Sequence, residues 1–316
     1  MTITSTPRVV VLAGGLSHER DVSLRSGRRV ADALRSVGVD VSVHDVDSDL
    51  VPALAQLRPD LVWPLLHGTS GEDGSVRDVV QMLGLRLLGA GPRESRVAWS
   101  KPIAKTVVSR AGLSTPDFVT LPQSLFRELG ARHVLEAIVA RLGLPLVVKP
   151  SRGGSALGVT LVSSPEALPQ AMVDCFAYSD TALVERCVVG TEVAVSVVDL
   201  GSGPFALPPV EIVTDGPYDY DARYNPGRTE YFAPARLSEA STRTAIGAAL
   251  TAHDALGLTG VSRTDLIIDA SGEVWFLEVN VAPGMTETSL LPQAAEAAGL
   301  ALGELYRSMV NAALAV

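Results

Sequence analysis

No apolar run in this 316-residue chain reaches about 18 residues without a charge, a glycine or a proline, so no membrane span is expected. The N-terminal stretch "MTITSTPRVVVLAGG" has a short strand-like run where a signal peptide would carry its apolar core, and no leader is expected. Cysteine is nearly missing. The two present, Cys175 and Cys187, lack metal-type spacing, which points to reduced thiols in a cytoplasmic setting. Basic excess is missing too: a net charge of −9 with 19% charged residues argues against nucleic acid as a partner. There is no G-x-x-x-x-G-K-[ST] phosphate loop, and no G-x-G-x-x-G between a strand and a helix. Internal repeats and low-complexity tracts are also lacking. An acidic chain can still hold a polyanion, through local lysines, arginines, helix N-termini or metal ions.

What is present is a chain that is 47% apolar and long enough for two or three domains. Arg8–Gly15 reads as a buried strand ending in a glycine turn, and a helical period follows up to Gly38. Strands at Asp40–Asp47 and Pro59–Gly68 continue a β-α-β alternation, which argues for a parallel α/β layer over the first 90 or so residues. Helical segments are expected around 101–112 and 126–142, and the chain ends as helix. Leu144–Val162 reads as two strands joined by a glycine-rich loop, and Ala182–Gly201 as strand, turn, strand. An α/β beginning followed by a mixed, β-rich remainder suggests three lobes, α+β overall.

The segment "FLEVNVAPGMT" places Glu278 and Asn280 at i and i+2, so a strand would aim both at one face. Buried without partners, each neutral polar group would cost roughly 2–7 kcal/mol and a charge more. "GVSRTDLIID" repeats the pattern with Arg263 and Asp265. Asp265, Glu278 and Asn280 form an oxygen-only set without cysteine or histidine, which favours Mg²⁺ or Mn²⁺ over zinc. Arg263 beside them suits charge developing on a phosphoryl group or a tetrahedral oxyanion. A plain Arg–Asp pair facing Glu278 across a hairpin is the simpler alternative. In "VVKPSRGGSALGV", Lys149 stands before Gly153, Gly154 and Gly158, as a phosphate-approaching loop or as an ordinary hairpin turn. Lys101, taken singly, reads as a surface charge. Glu185 and Glu192 read either as solvated carboxylates beside a turn, which their sequence context favours, or as parts of a nucleotide pocket. In that pocket Glu185 and the backbone at Cys187–Val188 would meet adenine, and Glu192 the ribose.

Taken together these motifs resemble the D-alanine–D-alanine ligase family of the ATP-grasp superfamily. The resemblance runs from "LAGGLSHERDVSLRSG" through "LLHGTSGEDG", "VVKPSRGGSALG", "YDYDARY" and "GVSRTDLII" to "FLEVNVAPGMTETSLLPQAA". It implies a three-lobed ATP-grasp fold: an N-terminal α/β substrate domain at 1–92, a central lobe at 93–185, and a C-terminal lobe at 186–316 with a lid at 216–231. It implies ATP and two Mg²⁺ (or Mn²⁺) ions, the latter on Asp265, Glu278 and Asn280. Lys101 and Lys149 would contact phosphates, Glu185 and Val188 adenine, and Glu192 ribose. Glu19 would bind the ammonium of the first D-alanine, with His67 nearby. Arg263 and the backbone at Gly284 would stabilise the tetrahedral intermediate. Ser289 and Leu290, at a helix N-terminus suited to an anion, would take the second carboxylate. Ser155 and Tyr224 would join Glu19 in a hydrogen-bonded triad under the lid. The implied activity is D-alanyl-D-alanine formation through an acyl phosphate, for peptidoglycan precursors, in a cytoplasmic homodimer acting on small molecules.

The chain departs from the family pattern at several points. Ala156 replaces a second loop serine, and Arg223 replaces the lid lysine while keeping its charge. Arg77-Asp78 follow "GEDG" where Gln-Gly is usual, and Val281-Ala282 follow the ligand strand. These leave open a ligase with another D-amino acid or hydroxy-acid acceptor, and a nucleotide-binding regulator without catalysis. Retention of Arg263, Asp265, Glu278 and Asn280 argues against the regulator.

Overall fold

A computed structural model describes residues 6–214 and 228–315. Among them the strands form three sheets, one parallel and two antiparallel. In the first, β1 (Arg8–Leu12) lies between β2 (Asp40–His44) and β3 (Leu61–Pro64). Helix α1 (Arg20–Ser36) and helix α2 (Leu50–Leu57) make the crossovers that parallel strands require. Alternation splits β1 between two cores. Val9 and Val11 face α1, Trp63 and the C-terminal helices, whereas Val10 and Leu12 face α2 and helix α4 (Ser75–Met82). Between β3 and α4 lies the short helix α3 (Thr69–Glu72).

The second sheet has the order β4-β7-β5-β6, with β4 Phe118–Pro122, β5 Leu146–Pro150, β6 Thr160–Val162 and β7 Thr181–Arg186. Helices α7 (Gln123–Leu129), α8 (Ala131–Leu142) and α9 (Leu168–Phe176) accompany it. The 126–142 helix expected from sequence is thus two helices, broken at Gly130 with φ of 76°. A left-handed φ there costs glycine little and other residues more.

The third sheet runs β11-β10-β8-β12-β13, with β9 (Pro204–Ala206) on β8 (Gly190–Asp199). Its other strands are β10 (Val210–Thr214), β11 (Thr229–Phe232), β12 (Val261–Asp269) and β13 (Val274–Asn280). The strand–turn–strand at 182–201 therefore crosses between sheets, β7 belonging to the second and β8 to the third. Val193, Val195 and Val197 of β8 pack under helix α5 (Pro92–Trp99), helix α6 (Lys101–Arg110) and helix α10 (Glu239–Ala255). Ala194 and Val198, on the opposite face, join the core of the first sheet. Helices α11 (Leu290–Ala297) and α12 (Leu302–Ala315) end the chain in that same core, where Tyr306 meets Trp63 edge to face at 5.5 Å. No helix among the described residues is long and apolar enough to cross a membrane.

Candidate active site

Strands β12 and β13 are phased by a register shift. Asp265 pairs with Glu278 and Arg263 with Asn280, but Leu266 pairs with Phe276, so Leu277 is the extra residue of a bulge. Without it, Phe276 and Glu278 would share a face. With it, Phe276 is buried under α5 and α6 while Glu278 and Asn280 turn to the opposite side with Arg263 and Asp265. Burying such an aromatic contributes about 1.5–3 kcal/mol, which helps hold the shift in place.

On that side two cavities meet. The smaller, about 820 Å³ with its mouth, is lined by Glu19, His67, Ser155, Arg263, Asn280 and Ser289 among others. The larger, about 1620 Å³, has Lys149, Glu185, Val188, Glu192 and Asp265 in its wall. Lys101, Gly153, Gly154 and Glu278 line both. Lys101 is buried, unlike the surface charge its sequence context suggests. Its Nζ lies 3.0 Å from a Glu278 carboxylate oxygen and donates to the Gly153 carbonyl at 2.5 Å. One ammonium thus joins the glycine loop to β13.

The loop itself is folded tightly. Ser155 and Ala156 have φ of 51° and 56°, a left-handed conformation unusual for residues with a side chain. This places the buried Ser155 hydroxyl to donate to Glu19. A methyl group at Gly154 would lie only 3.0 Å from the second Glu19 oxygen, so the loop backbone closes directly over that carboxylate. Glu19 immediately precedes α1. His67, in the loop after β3, packs beside it, with Nε2 3.3 Å from the Ser26 hydroxyl and a hydrogen bond to the Ala282 backbone. Burial draws the His67 imidazole below its usual pKa, against the opposing charge of Glu19. Ser26 also accepts from the Met285 N–H at 3.1 Å. Helix α1 thereby grips the loop that follows β13.

Arg263 donates to both oxygens of Asp265, at 2.7 and 2.9 Å. The Asn280 carbonyl oxygen accepts from the Ala282 N–H at 2.8 Å. Gly284 is half-buried in the cavity wall. Ser289 caps α11 and accepts from the Thr286 N–H at 2.9 Å, with Leu290 buried behind it. Among the described residues there is no group of three or more His, Cys, Asp or Glu fit to hold a metal ion. The set here is two carboxylates and an amide, on strands that Arg263 and Lys101 already supply with positive charge. It fits a hard divalent ion that takes its remaining oxygens from water and substrate phosphate.

Glu185 is not the solvated carboxylate favoured by its local sequence. It is 2% exposed and sits between two lysines, 2.5 Å from Lys149 Nζ and 2.9 Å from Lys105 Nζ. Burial raises its carboxyl pKa, and the charges of Lys149 and Lys105 outweigh this and leave it lowered. Glu192 lies on β8 beside Ile267 and Ile212. Arg223 and Tyr224, with most of the 216–231 lid segment, lie outside the described residues. Sequence reasoning passed over Glu72, Lys105 and the cavity-lining Val22, Trp99 and Thr286. Glu72 was visible only as part of "GEDG", and Lys105 as a helical residue one turn beyond Lys101.

Residues 107–311 match the family described as D-ala D-ala ligase C-terminus. A D-alanine–D-alanine ligase of Bordetella petrii is 39% identical over 307 residues, covering 97% of this chain and 92% of the relative. One from Methylocella silvestris is 42% identical over 309 residues, covering 96% and 97%. Among solved structures, the VanG D-Ala:D-Ser ligase from Enterococcus faecalis superposes with a TM-score of 0.86 at 27% identity, covering 98% of this chain and 100% of the other. The Bacillus anthracis D-alanine–D-alanine ligase complexed with ATP gives 0.80 at 25% identity, covering 98% and 97%. With that likeness along nearly its whole length, and with the conjoined cavities built from β12, β13 and the glycine loop, the chain belongs to the D-alanine–D-alanine ligase family.

Proposed function

We propose that the protein is an ATP-dependent ligase that joins two D-alanines into D-alanyl-D-alanine through an acyl phosphate, releasing ADP and phosphate. The observation that carries this reading is the pair of adjoining cavities, one lined by Glu19, His67 and Ser289 and a larger one by Lys149, Glu185 and Glu192, sharing Lys101, the glycine loop and Glu278. A carboxylate is a poor acyl donor, and phosphorylation by ATP makes it a good one. The first D-alanine places its ammonium on Glu19, near His67, and its carboxylate toward the shared wall. ATP lies in the larger cavity, its phosphates at Lys101, Lys149 and the loop N–H groups, its adenine at Glu185 and Val188, its ribose at Glu192. Magnesium bound at Asp265, Glu278 and Asn280 supplies charge neutralisation for the phosphates. Arg263, locked by Asp265, and the Gly284 N–H face the oxyanion formed when the second amine attacks the acyl carbon. Ser289, at the start of α11, receives the second carboxylate. Ser155 and Glu19 keep the site closed, with Tyr224 and the Arg223 cation of the lid segment as their partners in this proposal.

The same proposal makes this a step toward peptidoglycan precursors and includes a homodimer and a cytoplasmic setting. The two free cysteines support that setting. The test is ADP release with D-alanine, D-serine, D-lactate and L-alanine supplied separately, with the dipeptide identified by mass. Dependence on D-alanine is expected, with Glu278→Gln folded and at least about 10²-fold slower, the scale of losing a group that stabilises transition-state charge. Turnover indifferent to D-amino acids, or full activity of Glu278→Gln at limiting magnesium, would sink the reading.

A further inference from the structure

Two lysines on one buried carboxylate are more cation than its charge requires, and they differ in what else they touch. Lys149 lines the nucleotide cavity. Lys105 does not. It is fully buried behind Glu185, donating at 2.7 Å to the Thr115 hydroxyl and at 3.3 Å to the Phe276 carbonyl. Glu185 stands at 2.9 Å as its ion-pair partner. These partners come from the segment before β4, from β13 and from β7, so the charge is fixed from three sides. Phe276 is also the residue that the bulge turns inward, two positions before Glu278.

We propose that Lys105 is a positioning residue for purine recognition: it keeps Glu185 ionised and aimed as an acceptor, while Lys149 is released to serve phosphate. This rests on the reading of Glu185 as the group that meets adenine. A carboxylate accepts from the amine at purine position 6, whereas an oxo group there turns lone pairs toward it. Once Lys149 leaves for phosphate, a carboxylate this deeply buried needs another cation, and Lys105 supplies it. Without Lys105 the buried Glu185 takes up a proton, becomes a donor and no longer rejects the oxo purine.

The experiment compares kcat/KM for ATP and for inosine triphosphate in the parent, Lys105→Met, Lys105→Gln and Glu185→Gln, with folding checked by circular dichroism. Lys105→Gln retains donors for Thr115 and the Phe276 carbonyl, so it tests the charge even where Lys105→Met does not fold. Both Lys105 variants are expected to lower the ATP:ITP preference about tenfold or more, mainly through the KM for ATP, the scale of one buried mismatched hydrogen bond. Glu185→Gln, able to accept or donate, should lose the preference as well. An unchanged preference in folded Lys105 variants, with Glu185→Gln impaired, would leave Lys105 a structural residue and overturn the proposal. An unchanged preference in Glu185→Gln would remove the adenine reading, and the Lys105 proposal with it.

Discussion

Glu72 shows how a single residue is decided by its surroundings. It accepts from the Gly68 N–H at 2.9 Å and is buried, with Glu19, Lys101, Glu278 and Arg77 as its charged neighbours. Burial first, then the Glu19 charge, pushes its carboxyl from the ordinary 4.5 up to about 8. The folded protein therefore holds a proton that the unfolded chain has lost, so stability falls as pH rises between those values. Glu72→Gln keeps an acceptor for Gly68 and removes the titration. Relative to that variant, the parent should lose up to about 1.4 kcal/mol per pH unit between pH 5 and 8, then run parallel above. Urea denaturation of both at several pH values reads this directly, and parallel curves throughout would show that Glu72 titrates normally. Arg77 is another such residue. Its sequence position marks it only as a departure from Gln, but it is buried in a polar role, donating to the Ala90 carbonyl at 2.9 Å, with burial holding its pKa down to about 10.

At the scale of the element, strand β13 and the glycine loop behave differently as sequence. Alternation in "FLEVN" correctly pairs Glu278 with Asn280, but alternation alone would also put Phe276 beside them. The bulge is a property of the β12–β13 pair, so it has no signature in either strand alone. The glycine loop reads equally as a hairpin turn, and its strands β5 and β6 are indeed antiparallel neighbours. What distinguishes it is contact with Glu19 from a different sheet. Gly154→Ala is a sharp test, because the added methyl would press on the Glu19 oxygens at 3.0 and 3.3 Å. Displacing that carboxylate by a few tenths of an ångström should raise the KM for D-alanine about tenfold and move the KM for ATP much less. Equal changes in both would place the disturbance in the loop as a whole rather than at Glu19.

For the whole molecule, the first and third sheets share one core, from Val9 and Trp63 through Val198 and Val210 to Tyr306 and Met309. Tyr306 stands at its centre, against Trp63 and within 3.6 Å of the Met285 sulfur. Met285 belongs to the loop that Ser26 also grips, so core packing and site geometry are mechanically joined. Truncating a buried aromatic typically costs about 3–5 kcal/mol. Tyr306→Ala should lose stability on that scale by denaturant titration followed through tryptophan emission. It should also raise the KM for D-alanine, because the Met285 N–H bonds Ser26, whose hydroxyl meets His67. Lost stability with an unchanged KM would separate the core from the site.

The sequence by itself determined the parallel first layer, the same-face pairs Arg263/Asp265 and Glu278/Asn280, and the glycine loop behind Lys149. Each of these is written in short-range periodicity or in adjacent residues, and local sterics read it without help. Only the tertiary structure decided which charges are buried. Lys101 and Glu185 look solvated in their own segments, yet Glu278 and the Gly153 carbonyl enclose the first, and Lys105 with Lys149 the second. Those partners lie far along the chain and in other elements. The cost of desolvating a charge, and the ion pair that offsets it, come into being only when the elements pack together.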